Sequence, residues 1–127
     1  GEKNDKGGND VAAAYGSYSP KRFNLHSIWD GTLAERAITT GPSLVRRYPA
    51  AEKRRIAAGN VVDWSRESYQ VAHDVVYASA LKGDPCAPSP AKVTLDEATI
   101  EKLVPLARLE VERGGLRLAK LLDQALG

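Results

Sequence analysis

The apolar positions of this chain recur mostly at spacings of three and four residues, which is the period of an amphipathic helix. One such stretch runs from Leu25 to about Thr39 and has Asn24 as its predicted N-cap. Another runs from a predicted N-cap at Asp63 to about Leu81. This spacing predicts a mainly α-helical protein.

Two short helices are predicted between these stretches. Ser43 suits the cap of one that reaches Tyr48, and Pro49 suits the first turn of the next. The second carries a run of charged residues that begins at Glu52. Because only residues three or four apart share a helix face, Glu52 is expected to offset Arg55 on a solvated side. The run is therefore interpreted as ordinary surface and not as a phosphate site.

A proline-rich loop and one long helix complete the predicted array. Three prolines in residues 83–90 remove amide donors and exclude regular structure there. Thr94, with Glu97 three residues later, forms a capping-box pattern before the last helix. The pair Gly114-Gly115 lowers the stability of that helix, and the pattern predicts that another helix approaches closely at this point.

A short β-hairpin is predicted near the N-terminus, before the first helix. Residues 10–15 are apolar after the initial Asp10, and the turn-forming residues 16–20 follow them. Tyr18 and Phe23 are the aromatic residues near its tip, where they are candidates for stacking on a nucleobase of a bound substrate. The alternative is that Tyr15, Tyr18 and Phe23 cover the edge of the core.

Composition limits the functional classes only weakly. A chain of 127 residues with 43% hydrophobic residues is the size of one globular domain. The formal net charge of +2 is close to balance, so charge neither supports nor excludes nucleic-acid binding. The single cysteine, Cys86, is either a free thiol or a link to another chain. No apolar run approaches the ~20 residues that a membrane span needs.

One pair of side chains on the first predicted helix has the chemistry of metal ligands. His26 and Asp30 are four residues apart, so a helix places imidazole and carboxylate on the same face. Zinc takes three or four ligands, and this pair supplies only part of such a set. Trp29 points to roughly the opposite side and is interpreted as packing. His73, beside Asp74, is predicted to be a surface or core-edge residue and not a ligand.

Several motifs in a fixed order resemble those of the zinc-dependent, single-strand-specific nucleases of the mung bean and fungal type. The resemblance covers nearly the whole chain. The motifs are Gly7-Gly8-Asn9, the apolar run that follows it, Asn24-Leu25-His26-Ser27-Ile28-Trp29-Asp30, Trp64-Ser65-Arg66-Glu67-Ser68 and Gly114-Gly115-Leu116-Arg117-Leu118-Ala119-Lys120-Leu121-Leu122.

The resemblance implies a fold, a cofactor and an activity. The fold is the helical array shared with zinc-dependent phospholipase C, and the cofactor is a cluster of three zinc ions. By resemblance, His26 and Asp30 are ligands of that cluster. The implied activity is endonucleolytic hydrolysis of single-stranded DNA or RNA, with removal of 3′-phosphates from nucleotides. The implied location is secreted or periplasmic.

The chain also departs from the family pattern. Members carry their other zinc ligands in a half that precedes the Gly-Gly-Asn motif, and this chain has no such half and only two histidines. Residues 1–127 are therefore interpreted as the carboxy-terminal portion of a single zinc-nuclease domain. The missing amino-terminal segment is its expected partner, and the chain alone is expected to be inactive.

Two other functions remain open on the sequence. The first is a zinc phosphodiesterase like phospholipase C, since the fold is shared. The second is a non-catalytic helical interaction module that descends from such a nuclease and keeps the motif without metal. The zinc content of the complete assembly separates the module from both enzymes.

Overall fold

A computed structural model describes residues 4–127 and shows a mainly helical chain, which confirms the predicted fold class. Two of the helices, α1 (residues 25–39) and α3 (residues 61–81), contain a π-helical segment in their middle. The helical segments in chain order are Leu25–Ser27, Ile28–Leu33 (π) and Ala34–Thr39 in α1, Ala50–Ile56 as α2, Val61–Val71, Ala72–Tyr77 (π) and Ala78–Leu81 in α3, and Glu97–Leu126 as α4.

A small parallel sheet joins the segment before α1 to the segment before α4. Strand β1 is Ala13–Tyr15 and strand β2 is Val93–Leu95, which pair in parallel with Ala13 opposite Val93. Ala13 and Ala14 of β1 are buried, and so is Leu95 at the end of β2. The sheet therefore fixes the loop before α1 against the start of α4.

The predicted β-hairpin is wrong in its pairing. Among residues 4–127, this region contains only two isolated antiparallel β-bridges, one between Tyr15 and Tyr18 and one between Ala12 and Asn24. Pro20 lies on the returning segment and has no amide hydrogen to donate to a ladder. The backbone of β1 forms its hydrogen bonds with β2 instead.

Helix α1 begins where the sequence predicts. The side chain of Asn24 accepts a hydrogen bond of 2.8 Å from the amide of Ser27, which satisfies a donor that the first turn leaves free. Leu25, Ile28 and Leu33 are fully buried on the inner side of the helix. A π-helical segment inserts one extra residue per turn locally, and such segments are frequent at functional sites.

Two predicted helix starts are wrong. Residues 43–48 form bends and no helix, because the hydroxyl of Ser43 accepts from the amide of Val45 and closes a local turn. Helix α3 begins three residues earlier than predicted. Asn60 is its N-cap, and Asp63 is the reciprocal partner in a capping box, accepting from the amide of Asn60 at 3.0 Å.

The start of α4 also differs from the prediction. Thr94 lies in β2, and the N-cap is Asp96, whose carboxylate accepts from the amide of Thr99 at 2.8 Å. Within α4, a Cβ added at Gly114 or Gly115 meets no atom of residues 4–127 within 4 Å. The close helix contact predicted at these glycines is therefore not made by the described chain.

The core lies where α1, the first half of α4, the end of α3 and the sheet meet. The second half of α4 is more exposed and carries several large apolar side chains at its surface. No helix among residues 4–127 is both long enough and apolar enough to cross a membrane. The buried core cluster consists of Val11, Ala13, Leu25, Ile28, Leu33, Ala37, Tyr77, Ala80, Val93, Leu95, Ile100, Leu103 and Ala107.

Candidate metal centre

The side chains of His26 and Asp30 meet on one side of α1. Nε2 of His26 lies 2.8 Å from Oδ2 of Asp30, and the two side chains are 43% and 72% exposed. Asp30 lies in the π-helical segment, and His26 lies just before it. The predicted convergence of the two groups is confirmed, and their accessible face leaves room for further ligands. Their role as ligands stays a prediction.

A backbone carbonyl orients the imidazole ring. Nδ1 of His26 lies 3.1 Å from the carbonyl oxygen of Gly7. Because a carbonyl oxygen only accepts, this bond assigns the hydrogen to Nδ1 and leaves Nε2 to face Asp30. Two acceptor atoms at 2.8 Å are favourable only with a proton or a cation between them. This arrangement is typical of a metal-binding histidine with its outer hydrogen bond in place.

The loop that carries this carbonyl requires glycine. Gly8 has a φ of +86°, and a Cβ there would lie 3.2 Å from the amide nitrogen of His26 and 3.3 Å from the Cβ of Leu25. The carbonyl of Gly8 also accepts from the amide of Val11. The loop therefore packs its backbone directly against the start of α1.

Asp5 fastens the same loop to α3. Its carboxylate is buried and accepts from the amide of Gly8 at 3.2 Å and from the hydroxyl of Tyr77 at 2.5 Å. Burial works to raise the pKa of this carboxyl, but the hydrogen bonds from Tyr77 and Gly8 outweigh burial and hold the pKa below its ordinary value. Asp5 was not among the residues predicted from the sequence, although an aspartate two residues before the pair Gly7-Gly8 is a typical turn-forming signal.

Trp29 packs against the core, as predicted. Its indole nitrogen Nε1 is buried and has no hydrogen-bond partner among residues 4–127. Trp29 and Asp30 together line a surface groove of about 360 Å³, which we call the Asp30 groove. The other residues that line it are Ala34, Ser68, Val71, Ala72, Val76, Ala107, Glu110 and Val111.

Tyr18 and Phe23 line a different groove, on the adjacent face of α1. Their rings pack edge to face with centroids 5.3 Å apart. Phe23 packs against the core, which agrees with the prediction that it covers the core edge. Tyr18 is 60% exposed and therefore remains a candidate for stacking on a base. This aromatic groove has a volume of about 660 Å³ and is lined by Tyr15, Tyr18, Phe23, Ser27, Gly31, Thr32, Glu35, Arg36 and Thr39.

His73 lies apart from this pair, in the π-helical segment of α3. Its Nδ1 is 2.6 Å from a carboxylate oxygen of Asp74, and its Nε2 is 4.0 Å from Sγ of Cys86. His73 is partly buried, in agreement with the predicted core-edge position. Among residues 4–127, no group of three or more His, Cys, Asp or Glu side chains is placed to hold one metal ion.

Comparison with known proteins gives one clear result. No curated protein and no solved structure matched the chain. The family model described as S1/P1 Nuclease matches residues 1–127, which is the whole sequence. The chain belongs to the S1/P1 nuclease family of metal-dependent hydrolases that act on nucleic acids.

Proposed function

We propose that this chain is the carboxy-terminal portion of a zinc-dependent endonuclease that hydrolyses phosphodiester bonds of single-stranded DNA or RNA and also releases 3′-phosphates from nucleotides. The observation that carries the proposal is the pair His26 and Asp30, with Nε2 and Oδ2 2.8 Å apart and Nδ1 held by the carbonyl of Gly7. Secretion or export to the periplasm is part of the same proposal.

The donor set fits zinc. Zinc binds histidine nitrogen and carboxylate oxygen at about 2.0–2.2 Å, so two ligands of one tetrahedral ion lie roughly 3.3 Å apart. A small opening of the exposed Asp30 side chain is enough to reach that separation from 2.8 Å. His26 and Asp30 would hold the ion, and the carbonyl of Gly7 would keep the ring in its ligand tautomer. Zinc held there would supply an activated water and would neutralise charge on the phosphate.

Two protein ligands do not complete such a site. A zinc ion that keeps one position for water needs at least three protein ligands. We propose that an amino-terminal portion of the same nuclease domain supplies the remaining ones beside Asp30. The Asp30 groove supports this placement, because its walls are largely apolar and the buried Nε1 of Trp29 lacks an acceptor among residues 4–127.

Substrate bases have a candidate contact near the metal ligands. Tyr18 presents an exposed ring in the aromatic groove, and Phe23 supports that ring from its edge. Stacking on an aromatic ring tolerates every base, because each base has a π-face. Ser27 and Gly31, which follow His26 and Asp30 in α1, line this groove as well. We therefore assign Tyr18, with Phe23 behind it, to substrate binding.

The test measures zinc-dependent hydrolysis of single-stranded DNA by the chain alone and mixed with a matching amino-terminal fragment. We expect activity only from the mixture, and we expect His26→Ala to lower it about 100-fold or more while zinc content falls. His73→Ala is the matched control, because it removes the other histidine and leaves the proposed ligands in place. Equal activity with His26→Ala, or chelator-sensitive hydrolysis by the chain alone, contradicts the proposal.

A further inference from the structure

A third groove lies between α2 and the second half of α4, away from the proposed metal ligands. Its volume is about 650 Å³. Its lining combines small and apolar side chains, which we call its floor, with charged side chains, which we call its rim. We call it the basic groove, and its lining residues are Lys53, Arg54, Ala57, Ala58, Leu116, Ala119, Lys120, Asp123 and Gln124.

The cations of the lining that lie on α2 are Lys53 and Arg54. Their neighbour Glu52 forms an ion pair with Arg46 at 2.6 Å, and the hydrogen bond from Arg46, together with the charge of Arg55, holds the pKa of Glu52 below its ordinary value. Among residues 4–127, no carboxylate oxygen lies within 4.0 Å of the charged nitrogens of Lys53 or Arg54. Both side chains are exposed, so two positive charges are available to an anion at the groove.

The neighbouring cations of α4 are engaged with protein groups. Arg113 forms ion pairs with Glu67 at 2.8 Å and with Glu110 at 2.6 Å, and Arg117 also pairs with Glu67. Such pairing cancels most of the field that an arginine offers to a ligand. The contrast leaves Lys53 and Arg54 as cations of the lining that are available to a ligand.

Lys120 stiffens one wall of the groove. Its ammonium donates to the carbonyls of Ala57 at 2.9 Å and of Gly59 at 2.8 Å, the residues that follow the last turn of α2. These bonds leave its charge in place beside Lys53 and Arg54. Asp123 is the one carboxylate of the lining, so the lining carries a formal charge of +2 from three cations and one anion.

We propose that the basic groove is an accessory binding site for the sugar-phosphate backbone of a single-stranded polynucleotide. The proposal rests on the proposed nuclease function and adds a contact remote from the metal ligands. Lys53 and Arg54 bind phosphates at the rim, and the apolar floor receives a base or a sugar. A duplex keeps its bases inside the helix and does not present them to this floor.

The position of the groove sets the length of substrate that benefits from it. Ala107 lines the Asp30 groove and Ala119 lines the basic groove, and twelve residues of α4 separate them. This separation is about 18 Å along a helix axis. The same twelve residues turn by about a third of a turn around the axis, so a strand needs more than the roughly five stacked nucleotides that cover the axial distance. Long strands are therefore expected to bind more tightly than strands too short to reach both grooves.

The experiment measures binding by the chain of residues 1–127 in a metal chelator, so that no hydrolysis is needed. The probe is a fluorescein-labelled oligothymidine of about 16 nucleotides, followed by fluorescence anisotropy at several salt concentrations. We expect the double variant Lys53→Glu/Arg54→Glu to weaken binding roughly tenfold and to reduce the slope of log K against log salt by about 1.4, the value for two lost phosphate contacts on a single strand.

The matched control is Lys82→Glu/Lys102→Glu, which makes the same change of charge at exposed positions outside the basic groove. Equal weakening by the control overturns the proposal, because it shows an effect of net charge alone. Unchanged binding by the groove variant overturns it directly. Equal losses for a duplex or for polyphosphate also overturn it and reveal a general polyanion surface. Because the readout is binding, failure of the zinc-hydrolysis test does not alter these outcomes.

Discussion

At the scale of single residues, the candidate metal centre depends on backbone as much as on side chains. The carbonyl of Gly7 decides which nitrogen of His26 faces Asp30. That carbonyl is in reach only because Gly8 adopts a positive φ and lies against the amide of His26. Glycine is required at position 8 because the loop backbone lies directly against the start of α1, where a Cβ does not fit. This close approach explains the second glycine of the Gly-Gly-Asn motif in this chain.

The substitution Gly8→Ala tests this requirement. We expect it to lower the free energy of unfolding by about 2 kcal/mol, because a Cβ at φ +86° is strained and meets His26 and Leu25 at 3.2 and 3.3 Å. Gly114→Ala is the control. It lies in a helix with open space around it and should raise stability by roughly 0.5–1 kcal/mol. Denaturant unfolding measures both, and a neutral Gly8→Ala contradicts the argument.

What the sequence reveals about the site depends on how far apart its parts are in the chain. His26 and Asp30 could be predicted, because the four-residue spacing on one helix determines their relation. The partner of the ring, Gly7, is nineteen residues before His26, and the partner of Asp5, Tyr77, is seventy-two residues after it. No local pattern contains these contacts, since they follow from tertiary packing.

At the scale of elements, periodicity predicted the helices better than their ends. The core stripe of α4 follows the three-and-four spacing, whereas that of α1 contains one step of five residues, from Ile28 to Leu33, across its π-helical segment. Several residues near each helix start are able to cap. Asn60 and Asp63 both suit an N-cap, and the structure uses them as reciprocal partners. The strand near the N-terminus was also predicted, but its pairing with Val93–Leu95 joins distant segments that the local sequence does not relate.

The capping box of α3 gives a test at this scale. We expect Asn60→Ala to lower the free energy of unfolding by about 1 kcal/mol, because the amides of Val62 and Asp63 lose their acceptor. Thr94→Ala is the control, since this residue was predicted to cap α4 but lies exposed in β2. Its effect should stay within about 0.5 kcal/mol. A larger loss for Thr94→Ala than for Asn60→Ala would support the predicted caps over the observed ones.

At the scale of the whole molecule, one buried hydrogen bond joins the beginning of the described chain to α3. The carboxylate of Asp5 accepts hydrogen bonds from the hydroxyl of Tyr77 and from the amide of Gly8. The second bond holds the loop whose Gly7 carbonyl orients His26. The β1–β2 pairing ties the same region to the start of α4. The proposed ligand pair is therefore positioned by contacts from three separate parts of the sequence, and its geometry should respond to changes far from α1.

The variant Tyr77→Phe tests this long-range connection. It removes a donor from a buried carboxylate, and we expect it to lower the free energy of unfolding by roughly 2 kcal/mol at neutral pH. Tyr18→Phe is the control and should change little, because Tyr18 is 60% exposed.

The loss of unfolding free energy in Tyr77→Phe should also depend on pH, and the ionisation of the Asp5 carboxyl determines the direction of that dependence. Its pKa in the folded protein lies below the ordinary value of 3.8, so the stabilisation it provides is complete above that value and is lost as pH falls through the folded pKa. Tyr77→Phe removes one cause of the lowered pKa. The difference in stability between the two proteins should therefore be largest near neutral pH and shrink in acid. Unfolding curves from pH 7 to about pH 3 measure it, and a difference that grows in acid would show that the Tyr77 hydroxyl does not stabilise the charged carboxylate.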